Sequence, residues 1–541
     1  MQLLLALVCL GARKMSHQVD KCNIQGGIWP RMPKEFESYL FYKITNVNRF
    51  RNDLKEFISE ITTGDQCEKR LAEISLAAEN GRPVKIPMSG INVSFTQKGL
   101  QKLNLAQIND GLFEKGMYSD LIFEGADIPE RLLPEFKPPP GHPAGDDSWR
   151  IDLVFIVAAS SEKTLNEGIA KIETNFHLRD LNKTSMESVV VKHGQRRPGD
   201  MRGREHFGFE DHISQPQIEG LDPKPGPREP LSCLPGYIFV GHEGDPRKDT
   251  TPPWSVEGSF LVFRQLDEKV PEFNKFIENA AKNIPNYAGE NGAEKLAAHM
   301  MGRWKSGAPV ALTPDKDDKS LAFRNDFDFR PKQSILGCPF AAHARKMRPR
   351  ADHKRDLGKD DDFEKGKFTD PLVHDTSNPP DMEYDSDEEP DQGPDKEDAS
   401  VILRRGITFG PELGPDETEK TTKSRGIYFT CYQSDIRDGF NLLMTPSAIS
   451  DSCEGWASNS VFPTSKKRAH EDGPGMDPFI NQRQRKDHPE GHISLYDGKD
   501  PEKTHKLELG TSPWVDQRGG EYFFTPSIRG LRWFCNAPQP Q

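Results

Sequence analysis

Six segments between Tyr39 and Val191 carry either the two-residue repeat of a strand or the 3.6-residue repeat of a helix, and their order is the strongest constraint on the fold. Tyr39 to Ile44 reads as a strand, after which Phe50, Leu54, Phe57, Ile58 and Ile61 recur at helical spacing. Residues 91–96 and 151–158 are two further apolar strand runs. Leu165, Ile169 and Ile172 mark a second amphipathic helix, and Met186 to Val191 closes the series with β-branched residues. Strand, helix, strand, strand, helix, strand is a ferredoxin-like order, and it excludes an all-helical protein.

The second half reuses similar parts. Tyr237 to Val240 and Ser259 to Phe263 read as strands, Phe273, Phe276, Ile277 and Ala280 lie on one helix face, Ala293, Leu296, Ala297 and Met300 on another, and a strand follows at Ile427 to Tyr432. This pattern is consistent with one domain over 21–192 and a second over 193–541. Residues 134–147 are rich in Pro and Gly and read as a surface loop. Within 348–400 the chain is strongly polar, with an acidic run over 381–398, and too little apolar surface is present to offset ordering entropy, which predicts a disordered insertion.

Composition narrows the function. A net charge of −12 argues against a nucleic-acid partner, no apolar run is long enough to span a bilayer, and the eight cysteines contain no C-x-x-C pair that would suggest zinc. Residues 1–20 read as a leader or a disordered N-terminus. Leu3 to Ala12 has the length of a signal-peptide core, yet no Lys or Arg precedes it and Arg13-Lys14 stand where cleavage needs small residues, so both secretion and cytoplasmic residence are consistent with it. Of the sequons, Asn92-Val93-Ser94 falls in a strand run and is expected to be buried.

Two short runs carry the chemistry. Gly208-Phe209-Glu210-Asp211-His212-Ile213-Ser214-Gln215-Pro216 holds a carboxylate suited to acid/base work, and Cys338-Pro339-Phe340-Ala341-Ala342-His343-Ala344-Arg345-Lys346 holds a histidine flanked by small residues that leave room for a flat cofactor. On residue type alone, a single His among alanines reads as an ordinary surface or core residue. The complete strings, however, resemble the dye-decolorizing peroxidase family, which carries a G-x-x-D-G motif ending in I-S-Q-P and a C-P-F-A-A-H-I-R-K motif. Asn23-Ile24-Gln25-Gly26, Gly258 to Arg264, Gly302 to Val310 and Leu403-Arg404-Arg405-Gly406-Ile407 also match, in the family's order, so the resemblance spans residues 23–482.

That resemblance implies an α+β fold of two ferredoxin-like domains with antiparallel sheets, one haem b per chain held mainly by the C-terminal domain, and reduction of hydrogen peroxide through a ferryl intermediate while dyes, phenols or other aromatic donors are oxidised. His343 would be the axial iron ligand, and Asp477, in Gly475-Met476-Asp477-Pro478, its hydrogen-bond partner. Asp211 would move the peroxide proton. Arg404, preferred to Arg405 by register, would stabilise developing negative charge, Ile427 and Phe429 would wall the distal pocket, and Trp456 would relay electrons from bulky donors. Two departures stand out: His212 replaces the motif glycine, and Phe409 stands where fungal members often have Tyr. The cost of a bulky group beside a catalytic carboxylate favours a His212 ring that faces away. The rival readings are a haem-binding or haem-handling protein without turnover and a chlorite-dismutase-like oxidoreductase, the latter opposed by both strings.

Overall fold

The computed structural model describes residues 18–79, 86–123, 130–143, 145–223, 232–327, 329, 338–339, 341–348, 401–444, 477–480, 491–496, 504–510 and 512–536. The expected disordered insertion beyond Arg348, most of the leader and Trp456 lie outside them.

The first half is built from strands β1 (Phe36–Ile44), β2 (Ser89–Phe95), β3 (Leu153–Ala159) and β4 (Met186–Gln195), in the antiparallel order β4-β1-β3-β2. Its longest helices are α1 (Val47–Phe57), α2 (Gly64–Glu79) and α3 (Glu162–Asn175). Local chemistry fixes their starts: Asn46 caps α1 through the Arg49 N–H, and Ser161 and Thr164 form a reciprocal capping box on α3. Gly168 lets α3 lie close on the sheet, since a Cβ there would stand 2.7 Å from Val157 Cγ1. Successive residues of β1 serve two cores. Leu40, Tyr42 and Ile44 pack with Phe50, Leu54 and Phe57 of α1, while Tyr39 and Phe41 point the other way, toward Ile156, Leu261, Phe263 and Tyr428.

The second half contributes β5 (Ser259–Glu268), α4 (Val270–Asn283), α5 (Gly292–Met301), β6 (Leu403–Arg404), β7 (Ile407–Phe409), β8 (Gly426–Gln433), the hairpin β9 (Gly491–Tyr496) and β10 (Thr504–Gly510), β11 (Val515–Thr525) and the closing helix Ile528–Asn536. Its order, β11-β5-β8-β6 with β7 also on β8, repeats the permutation of the first half. Two ferredoxin-like units thus share one nine-stranded sheet.

Where the units meet, β2 and β11 share a single register pair, Phe95 with Phe524. Gln25 fills the rest of that seam: its Nε2 donates to Val93 O at 2.9 Å and Pro526 O at 2.8 Å, and its Oε1 accepts from the Val93 N–H at 2.9 Å. Ser94 and Thr525 hydroxyls meet beside it at 2.6 Å. Asn92 is fully buried, as expected for the sequon, with its Oδ1 taking the Gly27 N–H at 2.5 Å. At the opposite edge Thr408 Oγ1 donates to Gln195 O at 2.6 Å, so β7 lies against β4 and the sheet curls toward a barrel.

Residues 237–240 are not a strand. Pro235 and Gly236 open a 3-10 turn over Pro235–Tyr237, and Ile238, Phe239 and Val240 are buried as a compact loop. An apolar run of four cannot distinguish the two cases. The sequence reading also misses β11, because Gly519 and Gly520 interrupt its apolar pattern at a bulge; a Cβ on Gly520 would lie 2.0 Å from Phe263 O. Gln25→Ala should lower unfolding stability by roughly 2–4 kcal/mol, because it leaves three buried main-chain groups without a partner, and chemical denaturation of the variant measures it.

Candidate active site

On one side of a cavity of about 330 Å³, His343 opens a single helical turn, His343–Met347. Its loop fits because Gly302, the left-handed C-cap of α5 at φ +87°, presents no side chain: a Cβ would stand 3.1 Å from Ala344 Cβ and 3.4 Å from Ala342 Cβ. Arg345 is buried and ties the same loop, donating to Cys338 O at 2.6 Å and Phe329 O at 3.3 Å. His343 Nδ1 donates to Asp477 Oδ2 at 2.8 Å, and Asp477, wholly buried, takes the Phe479 and Ile480 N–H groups on Oδ1 at 2.9 and 3.3 Å. Asp477 is therefore both a turn residue and the partner of the imidazole. With the proton held on Nδ1, the Nε2 lone pair is left for a ligand.

Asp211 and Arg404 line the same cavity. Arg404 Nη1 donates to Asp211 Oδ1 at 2.8 Å, Nη2 to Ser214 O at 3.1 Å, and its main-chain N–H goes to Gln215 Oε1 at 3.0 Å. Arg405 turns away, bonding to Ile28 O and Pro30 O. Burial works against ionisation of Asp211, but His212, Arg404 and the His212 N–H at 2.7 Å hold its carboxyl well below the usual carboxylate range. Ile427 and Phe429, two apart on β8, both face this cavity.

His212 does not face away as the steric reasoning expects. Its Nδ1 lies 3.5 Å from Asp211 Oδ2, and its ring forms part of the cavity wall. The backbone there has φ +66°, which is why glycine suits the position. Asp211 favours the charged ring, yet burial and the positive Arg404, Lys34 and Arg196 outweigh it and push His212 down to about 4.

Several wall residues carry no signal in the sequence or only a weak one. Arg264, inside the quoted Gly258 to Arg264 string, stacks its guanidinium 4.5 Å from the Phe440 ring and donates to Gln517 Oε1 at 3.3 Å. Glu268 and Glu205 are a buried pair: Glu205 takes the Phe207 and Phe209 N–H groups, Glu268 that of His206, and burial together with Glu205 raises Glu268 well above an ordinary carboxyl. Among the described residues no three His, Cys, Asp or Glu side chains converge on a point. Among the described residues, then, His343 has no protein partners for a shared metal, and a metal that brings its own further ligands suits it. A haem does so, and the aromatic and aliphatic walls of Phe479, Ile427, Phe429 and Leu266 fit its flat apolar face.

Residues 23–198 match the family described as the DyP dimeric alpha+beta barrel domain. The chain is 32% identical over 527 residues to the dye-decolorizing peroxidase msp1 of Mycetinis scorodonius, covering 94% of this chain and 86% of that protein. The chain belongs to the dye-decolorizing peroxidases. A relative from Auricularia auricula-judae is 31% identical with the same coverage. Among solved structures, an ancestral D-type dye-decolorizing peroxidase superposes with a TM-score of 0.75 at 35% identity over 95% of this chain and 99% of that one. A mutant of the Pleurotus ostreatus dye-decolorizing peroxidase gives 0.76 at 32% identity over 96% and 99%. The protein is a peroxidase of a family of haem enzymes with an α+β barrel fold, as the motif strings imply. Asp477→Ala should weaken haem affinity by roughly 10- to 100-fold, the usual cost of removing a ligand's hydrogen-bond partner, as read from transfer of haem to a scavenger protein.

Proposed function

We propose that this peroxidase binds one haem b per chain through His343 and reduces hydrogen peroxide at the expense of dyes, phenols or other aromatic donors. The observation that carries this reading is Asp211, fixed by Arg404 at 2.8 Å in the wall of the cavity that His343 also lines. The balance is H2O2 with two electrons and two protons to two waters. Bound haem would supply the electrons that break the O–O bond, and the donors would restore them.

The chain's own groups handle the protons. Asp211, ionised, accepts a proton from one peroxide oxygen and returns it to the other as the O–O bond breaks and that oxygen leaves as water. Arg404 places a fixed positive charge where negative charge develops. His343, polarised by Asp477, would hold the haem iron and donate electron density to it. Trp456 is retained as the proposed relay for donors too large to enter. A second reading, a haem-handling protein with impaired turnover, has one observation in its favour: the His212 ring beside Asp211 narrows the approach to the carboxylate.

An absorption spectrum of the haem-loaded protein before and after peroxide separates the two. A fast spectral change supports the peroxidase, and an unchanged spectrum supports the alternative. His343→Ala should lose most of its haem, and a variant that retains stoichiometric haem with an unchanged Soret band overturns the ligand assignment. Asp211→Asn should keep haem yet react with peroxide roughly 10²- to 10⁴-fold more slowly.

The pH profile follows from the signs. A depressed carboxyl supplies its basic form at every pH above that low value, so the Asp211 base should persist through the region near 4 where ordinary aspartates protonate. The first inflection met on acidification, near pH 4, should instead belong to His212 and vanish in His212→Gly, while Arg404→Gln should move the Asp211 limb to higher pH. Stopped-flow rates of peroxide reaction between pH 3 and 7 measure both.

A further inference from the structure

A second cavity, of about 550 Å³, lies beyond the wall formed by His212 and Arg404, which line both spaces. Arg31, Lys34, Arg196, Arg202 and Arg405 face it together with only two carboxylates, Glu35 and Glu37, an excess of three positive charges even with Arg404 set aside as the partner of Asp211. Both carboxylates are already engaged. Glu35 pairs with Arg202 and, at 3.9 Å, with Arg196, while Glu37 accepts from Lys34 Nζ at 2.7 Å and the Tyr39 hydroxyl at 2.5 Å.

Arg405 bonds only to main-chain carbonyls, and among the described residues neither it nor Arg31 has a carboxylate partner. Cations gathered in a concave space focus the field and raise the local concentration of anions. The acidities agree: burial and the nearby Arg31 push Arg405 down to about 10, and burial with neighbouring cations lowers Lys34 and Arg196. Apolar side chains, among them Met32, Ile74 and Met88, make up a further part of the lining. A bare inorganic ion would leave that surface unused.

We propose that this outer cavity is a binding site for small organic anions, with a carboxylate or sulfonate held by Arg31, Arg196 and Arg405 and an apolar body against Met32, Ile74 and Met88. The His212–Arg404 wall keeps the occupant out of the deeper cavity, so it docks without displacing the Asp211–Arg404 pair. Binding is independent of the peroxidase reading. Use of the bound anion as an electron donor rests on that reading.

Isothermal titration calorimetry on the haem-loaded full chain, with benzoate, benzamide and sulfate as probes, tests the site. Benzoate should bind at least about tenfold more tightly than benzamide or sulfate and weaken as salt is added, since its recognition is electrostatic and only it matches both parts of the lining. The double variant Arg31→Gln/Arg196→Gln should lose about tenfold in benzoate affinity, and Glu35→Gln, which frees two cations, should gain. Equal affinity for benzoate and benzamide, or unchanged benzoate binding in both variants, overturns the proposal; sulfate as tight as benzoate overturns its organic part. Peroxide-driven oxidation of an uncharged phenol, followed in the same preparations at pH 7, well above the His212 titration, should match the parent in the double variant. Its absence from the parent would count against the peroxidase reading and leave the calorimetric result intact.

Discussion

Barrel closure is the constraint from which the rest of the structure hangs. Each ferredoxin-like sheet ends in an edge strand whose main-chain groups need partners, and an open edge is costly when buried. Between β2 and β11 the ladder supplies a single register pair, so a side-chain amide completes it: Gln25 has a donor and an acceptor on one planar group and serves both faces of the gap. The Asn23-Ile24-Gln25-Gly26 string is thus part of the sheet although it is not a strand. Gly26 is required there by space, since a Cβ would lie 2.3 Å from Cys67 Sγ.

Closure sets the positions of the site. Arg404 sits at the end of β6, Ile427 and Phe429 on β8, and Arg264, Leu266 and Glu268 on β5, so three neighbouring strands supply one wall with side chains alternating between cavity and barrel interior. The proximal side is made differently. There a five-residue helix, a glycine C-cap and an Asp-Pro turn converge. The buried Asp477 joins them, bonding to His343 with one oxygen and to its own turn with the other. A single carboxylate therefore fixes loop shape, imidazole orientation and tautomer together.

How much of this was legible in the sequence depended on the range of the signal. The first βαββαβ unit was legible because each element has strong local periodicity, and β1, β3, α1 and α3 lie within a few residues of where the apolar spacing puts them. The second unit was only partly so: Arg404 pairs in a two-residue strand, β11 is broken by glycines, and the apolar loop over 237–240 mimics a strand. Among site residues, Asp211, His343, Arg404 and Asp477 were visible only through complete motif strings, since Asp477 reaches His343 across 134 positions. Glu205 and Glu268 had no signal. A buried acid pair depends on two carboxyls meeting in space, and spacing along the chain does not report it.

The histidine in place of the motif glycine shows which parts of the site tolerate change. A left-handed residue with a Cβ costs roughly 1–2 kcal/mol relative to glycine, and His212 adopts φ +66° nonetheless. The conformation has a compensating use: it turns the His212 N–H onto Asp211 Oδ1 at 2.7 Å, while the Asp211 N–H is held by Gly203 O at 2.9 Å. The backbone thus supplies part of the carboxylate's setting, and the His212 ring and Arg404 supply the rest. The ring also adds a partition between a cavity fitted to a flat apolar cofactor and one lined by more cations than carboxylates. Because Lys34 and Arg196 of the outer cavity help keep that ring neutral, charge on one side of the wall acts on the proton chemistry of the other. Substitution at this one position therefore alters communication between the two spaces while leaving the acid and its arginine in place.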